Sequence, residues 1–153
     1  MNIKDIYKEL KLRGYQYTGE FRGIRSMSTT GKNGHIAWTD NWVTFIDNML
    51  QIMILGQNSR NLFVPTRIRK AVIDPKSHIK YIENFSNEKQ VLVQNYKHLD
   101  VLISGGIEIH GLIAQGSKSP GPHVFFGKYV SDKKVFRTKV VRLEGGHQMV
   151  AMI

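Results

Sequence analysis

Cysteine is absent from the 153 residues, which removes disulfide scaffolds, thiolate metal sites and cysteine nucleophiles together; a cytoplasmic setting fits that composition. An apolar signal-peptide core is missing too, because the opening MNIKDIYKELKLRG carries charge throughout. No stretch reaches the roughly 20 consecutive apolar residues of a membrane-spanning helix, so a soluble chain is expected, off the membrane. Negative charge is scarce: 12 acidic residues face 22 basic ones, a formal net charge of +10. Such an excess invites acidic partners, nucleic acid first. Yet no more than two basic residues stand in succession, and no zinc, helix-turn-helix or RNP-like signature is present. Nucleic acid is therefore set aside. The densest basic stretch lies at 60–80, where Arg60, Arg67, Arg69, Lys70, Lys76 and Lys80 face only Asp74, a local +5. A solvated basic face accounts for it; docking of an acidic partner protein is the sharper alternative.

What the chain does have is one long apolar run, DNWVTFIDNMLQIMILG, Asp40 to Gly56. At about 100° per residue, Trp42, Phe45, Ile46, Met49, Leu50, Met53 and Ile54 cover most of a helix circumference, which predicts a buried helix over Asp40–Leu55. Asp40, Thr44, Asp47 and Gln51, spaced i, i+4, i+7, i+11, form a single polar stripe along it. Asp40 suits the helix N-terminus, where a carboxylate caps free amides. That leaves Asp47 and Gln51 one turn apart within an apolar rod. A carboxyl so placed either finds partners or keeps its proton. Gln51 serving only to satisfy a structural Asp47 is the plain alternative.

Elsewhere, Asn2 caps a short helix with Ile3, Ile6, Tyr7 and Leu10 on one side and Gly14 as its stop. A strand near Phe21 to Ser28, the turn GKNG at 31–34 and the returning HIAWT read as a hairpin. LFVPTRI begins an extended segment in which Pro65 argues for an edge or a bulge. Strand-like runs recur at RKAVID, QVLVQNYKHLDVLIS and IEIHGLIA, separated by Asp74-Pro75, Asn84 to Asn87 and Gly105-Gly106. GSKSPGP at 116–122 is linker-like; VFFGKYV and VFRTKVVRL beyond it suit strands, and GGHQMVAMI has no evident place. One long helix with several antiparallel strands is an α+β layout in which a sheet wraps the helix.

The ordered blocks YKELKLRGYQY, IAWTDNWVTFIDNMLQ, VPTRI with IDP after it, and SGGIEIHGL closely resemble the dehydratase region of animal-type fatty acid synthase. More narrowly, they resemble the second of its two hotdog folds, an arrangement shared with polyketide synthases. The resemblance runs from about Tyr7 to about His110. It implies a hotdog fold over 1–125, half of a double hotdog, with 126–153 a strand-forming or unplaced extension. It assigns Asp47 as the catalytic acid of a D-x-x-x-Q/H motif with Gln51 as its orienter, and Tyr17, Phe21, Val64 and Pro65 as the wall of the acyl pocket. The family's Tyr-Gly-Pro-x-Phe-Gln-Gly turn reads YTGEFRG here, Tyr17 to Gly23, so Tyr17 and Phe21 keep their places while the Gly-Pro pair is replaced.

The implied reaction eliminates water from a 3-hydroxyacyl thioester borne by acyl carrier protein, giving the 2-enoyl thioester in fatty acid biosynthesis. It needs a base at the carbon beside the carbonyl and an acid at the departing hydroxyl. A carboxyl whose pKa is raised by desolvation suits the acid; the chemistry calls for neither metal nor organic cofactor. The base, a His of an H-x-x-x-G-x-x-x-x-P motif, belongs to the missing N-terminal hotdog half. His123 has Gly127 four residues on but Asp132 in place of proline, and His110 is as readily a plain strand residue. The lone chain is thus expected to be an inactive half-dehydratase that self-associates through its uncovered face, with the basic stretch at 60–80 docking the acidic carrier. A noncatalytic hotdog binding acyl chains or carrier protein is the other reading.

Overall fold

A computed structural model of the chain describes residues 1–57, 59, 61–84 and 89–117, together with short strands at 124–125, 139–142 and 148–151. Its centre is the helix α2, Trp42–Leu55, eleven of whose fourteen residues are buried. The cap is Asn41, not Asp40. Asn41 is extended, and its Oδ1 accepts from the amides of Val43 (3.0 Å) and Thr44 (3.3 Å). Asp40 has a positive φ of 57° and turns outward, accepting from Trp38 Nε1 at 3.0 Å and pairing with Lys89 at 3.3 Å. At the other end the buried guanidinium of Arg13 donates to the Ile54 carbonyl at 2.8 Å, putting a cation where the helix dipole favours one.

Around α2 runs an antiparallel sheet: β2 (Ile24–Met27), β3 (Asn33–Ala37), β5 (Gln90–Tyr96), β6 (Val101–Ser104), β7 (Ile107–Ser117) and β4 (Leu62–Ile73), neighbours in that order. Beyond β4 come β10 (Gln148–Ala151) and β9 (Lys139–Arg142); β8 (Val124–Phe125) pairs in parallel with β1 (Tyr15–Gln16). A sheet wrapped on one long helix is the expected α+β hotdog. Close approach is built in at Gly34 on β3, where a Cβ would stand 2.9 Å from Ile52 Cδ1 of α2. Pro65 sits at a register shift between Pro65 and Arg67, the bulge its missing amide calls for. Of the far segments, Gly116 and Ser117 end β7, β10 arises within the stretch that had no evident place, and the rest of GSKSPGP, with most of VFFGKYV and VFRTKVVRL, lies outside the described residues.

Two departures from the sequence reading bear on the site. Phe21 belongs to a 3-10 turn, η1 (Gly19–Phe21), rather than to a strand. The segment after Asp74 is a helix, α3 (Pro75–Asn84), where only a turn was expected. Asp74 accepts from the Ser77 amide (3.1 Å) and hydroxyl (2.7 Å), and proline stands at the first helical position, where its missing N–H costs nothing. The opening helix α1 (Ile3–Leu12) buries Ile6, Tyr7 and Leu10 but leaves Ile3 exposed, and Asn2 caps it as expected.

Candidate active site

Asp47 and Gln51 lie one turn apart on α2, and Gln51 Nε2 donates to Asp47 Oδ2 at 2.7 Å. The same nitrogen donates to the Phe21 carbonyl at 2.8 Å. That carbonyl can only accept, so the amide's orientation is fixed: both N–H bonds are used, one on each oxygen. Asp47 Oδ1 is the oxygen left to carry an acidic proton. Gln51 has no exposure and Asp47 is half-buried. Burial pushes the Asp47 carboxyl up to about 6, against the opposing pull of the Gln51 hydrogen bond. A carboxyl poised there is protonated for a useful fraction of molecules near neutrality.

The loop that receives Gln51 is laced to α2 by a residue the polar stripe did not include. Asn48 is 1% exposed; its Oδ1 accepts from the Gly23 amide at 2.9 Å, and its Nδ2 donates to the carbonyls of Thr44 (2.6 Å) and Glu20 (3.2 Å). A Cβ on Gly23 would stand 2.7 Å from Asn48 Nδ2, so only glycine fits there. Asn48 was discoverable, being a second amide next to Asp47 in the same apolar helix. Tyr7 completes the arrangement: its hydroxyl accepts from the Ile24 amide at 3.0 Å and lies 3.4 Å from Asn48 Oδ1.

Of the expected pocket wall, Phe21 meets the site through its backbone carbonyl, which accepts from Gln51, and Tyr17 feels the charge of Asp47. Burial, then the charge of Asp47, raise the Tyr17 phenol above its ordinary range. Tyr7 is pushed up to about 12, chiefly by burial, and also feels Asp47. Val64 and Pro65 are half-buried on β4 opposite Gln115 and Ala114. Their link to the site is indirect: Tyr17 stacks on Tyr15 at 6.0 Å, and the Tyr15 hydroxyl accepts from the Phe63 amide at 2.6 Å. Tyr7 and Tyr17 also floor an open groove of about 440 Å³ between α1 and the β1–η1 segment.

No histidine among the described residues is recorded against Asp47. His35 meets Ser26, His98 is exposed, and His110 Nε2 lies 3.2 Å from Glu108, while His123 and His147 lie outside the described residues. His78 is fully buried, but against Trp38, Trp42 and Phe45, with ring centroids 4.5, 4.7 and 5.0 Å away. Phe45 and Asp47 are two residues apart, about 200° around the helix, so this cage lies behind the candidate acid. The described residues also hold no cluster of metal-ligating side chains and no helix long and apolar enough to cross a membrane.

No family model matches the chain. Among solved structures it is similar to the dehydratase domain from the CurK module of Curacin polyketide synthase, with a TM-score of 0.53 and 20% identity over 76% of this chain and 48% of that one. Two inactive variants of CurK dehydratase match with the same TM-score at 19% identity. One has a histidine replaced by phenylalanine (81% of this chain, 50% of that one), the other an aspartate replaced by asparagine (76% and 48%). The chain spans about half the length of these dehydratases, and at such identity the likeness establishes the hotdog fold.

Proposed function

We propose that this chain is the acid-bearing half of a double-hotdog dehydratase acting on 3-hydroxyacyl thioesters, with residues 1–125 as its hotdog unit. Asp47 is the general acid and Gln51 its orienter. The observation that carries the reading is the Asp47 carboxyl, desolvated on a buried helix and fixed through Oδ2 by an amide that is itself fixed by Phe21. In the reaction a base from the partner half removes a proton from the carbon beside the thioester carbonyl. Asp47 Oδ1 gives its proton to the 3-hydroxyl, the carbon–oxygen bond breaks, and water and the 2-enoyl thioester leave. The aspartate-to-asparagine and histidine-to-phenylalanine variants of CurK dehydratase, both inactive, accord with such a division of labour. The solved structures it resembles are polyketide synthase dehydratases, so they support a polyketide-synthase-type setting and do not single out fatty acid synthesis.

Arg67, Arg69 and Lys70 are exposed on β4 and are the cations proposed to help dock an acidic carrier protein. A second reading is a noncatalytic module that binds acyl chains or carrier protein; it too needs no histidine beside Asp47. Reconstitution separates the two. The chain alone is expected to be inactive on 3-hydroxyacyl thioesters and to self-associate, since no histidine stands opposite its acid among the described residues. Adding a His-bearing hotdog half, fused or in trans, is expected to give turnover, and Asp47→Asn to cut that turnover by about 10²–10⁴-fold. Full turnover by the Asn variant would place the chemistry elsewhere.

A further inference from the structure

The segment 18–23 meets the candidate acid through the Phe21 carbonyl, with little of its own to hold it there. It has two glycines and no proline, so its chain entropy opposes a fixed path. Phe21 is half-buried, the rest of η1 is exposed, and Thr18 makes no capping hydrogen bond through its side chain. Side-chain amides of α2 hold the segment instead. Asn41 Nδ2 donates to Glu20 Oε2 at 3.2 Å, Asn48 Nδ2 to the Glu20 carbonyl at 3.2 Å, and Gln51 Nε2 to the Phe21 carbonyl at 2.8 Å. The three lie within about 80° of one another around the helix. Asn48 also accepts from the Gly23 amide at 2.9 Å, so it grips the turn on both sides. Its amide is spent on these bonds at 1% exposure, in a helix where an apolar side chain would carry no desolvation cost.

We infer that Asn48 is a positioning residue for the proposed acid: it clasps 18–23 to α2, and the clasped segment shields Asp47 from solvent and gives Gln51 its second acceptor. The inference rests on the dehydratase reading for its effect on turnover. Asn48 acts at one remove, because its hydrogen bonds go to Thr44, Glu20, Gly23 and Tyr7 rather than to the carboxyl. Burial is the larger influence on Asp47, and the Gln51 bond, formed within α2, opposes it. Freeing the segment relieves burial and leaves that bond in place, so the carboxyl becomes more acidic. Tyr7 and Tyr17, the titratable groups that feel it, stay neutral near pH 7. Glu20 and Arg22 of the segment are engaged by Asn41 and the Tyr7 ring, and no cation pairs with Asp47 among the described residues.

Carbon-13 NMR titration of the Asp47 carboxyl in the full chain tests this without any turnover. Asn48→Ala, which favours the helix itself, is expected to move the midpoint from about 6 toward 3.8. A fall of about one pH unit cuts the protonated fraction at pH 7 about tenfold, and the reconstituted protein should lose turnover in that proportion. Gly23→Ala disturbs the clasp from the other side. Gly23 has no left-handed φ, but a Cβ there would stand 2.7 Å from Asn48 Nδ2; the same shift is expected, which covers the case in which Asn48→Ala fails to fold. Ser104→Ala deletes an equally buried tie, from Oγ to the Leu92 carbonyl at 2.9 Å, and should cost stability without moving the midpoint. An unmoved or raised midpoint in both clasp variants, or an equal shift in Ser104→Ala, would make Asn48 a structural amide and overturn the inference. A falling midpoint with no turnover from the reconstituted parent would uphold the clasp and sink the dehydratase reading alone. Asp47-dependent turnover whose pH–rate profile Asn48→Ala leaves in place would sink the clasp alone.

Discussion

Asp47 and His78 are the two titratable side chains that burial shifts most usefully to compare, because they flank the same helix from opposite sides. Both have their charged forms disfavoured: the carboxyl is raised to about 6, the imidazole lowered to about 4. The difference is in their company. Asp47 keeps an opening to solvent, a 2.7 Å partner in Gln51, and a neighbouring groove. His78 has no exposure, no hydrogen-bond partner on either ring nitrogen, and three aromatic rings around it. A desolvated group becomes a candidate for chemistry when something orients it and something can reach it. His78 meets neither condition and is core, although no other histidine among the described residues stands at the acid.

Opposite pH dependences follow. Asp47 has a raised pKa, so its contribution to stability is fully present below the unfolded value of 3.8 and is lost as pH rises through about 6. At pH 8 the native state thus bears a cost of about 3 kcal/mol for ionising it. Asp47→Asn removes that cost and is expected to stabilise the chain at pH 8 by up to this amount, with little gain at pH 4. Urea denaturation at the two pH values measures it. A loss of stability at pH 8 would mark Asp47 as a structural carboxylate and undo the contrast with His78.

His78 runs the other way. Its folded pKa is depressed, so the neutral ring's contribution is complete above the unfolded value of 6.5 and is lost as pH falls toward 4. The ring has no exposure, and the shift corresponds to about 3 kcal/mol. In the parent chain the two slopes oppose each other between pH 4 and 6.5 and largely cancel. His78→Leu is expected to expose the Asp47 slope, so that this variant alone becomes more stable from pH 6.5 down to 4.5. A flat profile for the variant would show that Asp47 is not desolvated as the geometry requires; a parent as steep as the variant would show the same of His78.

Much of this contrast was legible in the sequence, for a physical reason: a polar stripe in an apolar helix survives any packing that keeps the helix. Asp47 and Gln51 could be placed together from spacing alone. His78 could not, because α3 has only one buried residue and so leaves no apolar periodicity to read; the Asp74-Pro75 pair was its sole signal. Charge needs the fold to be read in a similar way. Linear density points to 60–80, whereas the groove draws its cations from Lys4, Lys8, Lys11 and Arg22, a helix face and a loop that only the fold brings together. The helix cap moved by one residue, and the first helical residue by two, because Asp40 and Asn41 are both good caps and backbone conformation chose Asn41.

The smallest expected effect is also the one that bears most directly on what separates the two sites. Gln51→Ala takes from Asp47 the partner that His78 never had. The Gln51 hydrogen bond lowers the Asp47 pKa against the larger upward push of burial, so deleting it moves the carboxyl further above about 6. More of the acid is then protonated at pH 7, but the rotamer that points Oδ1 at the substrate is no longer held, and the Phe21 carbonyl loses its 2.8 Å donor. An acid that is better protonated yet worse aimed has offsetting changes, so turnover in the reconstituted protein should fall only severalfold, far less than for Asp47→Asn. The signature is in the pH–rate profile, where the limb reporting the acid should shift to higher pH while its height drops. A structural glutamine would lower stability and leave that limb where it was. A loss as large as that of Asp47→Asn would instead mean that Gln51 takes a direct part in the chemistry, and that orientation counts for more than the carboxyl's desolvation.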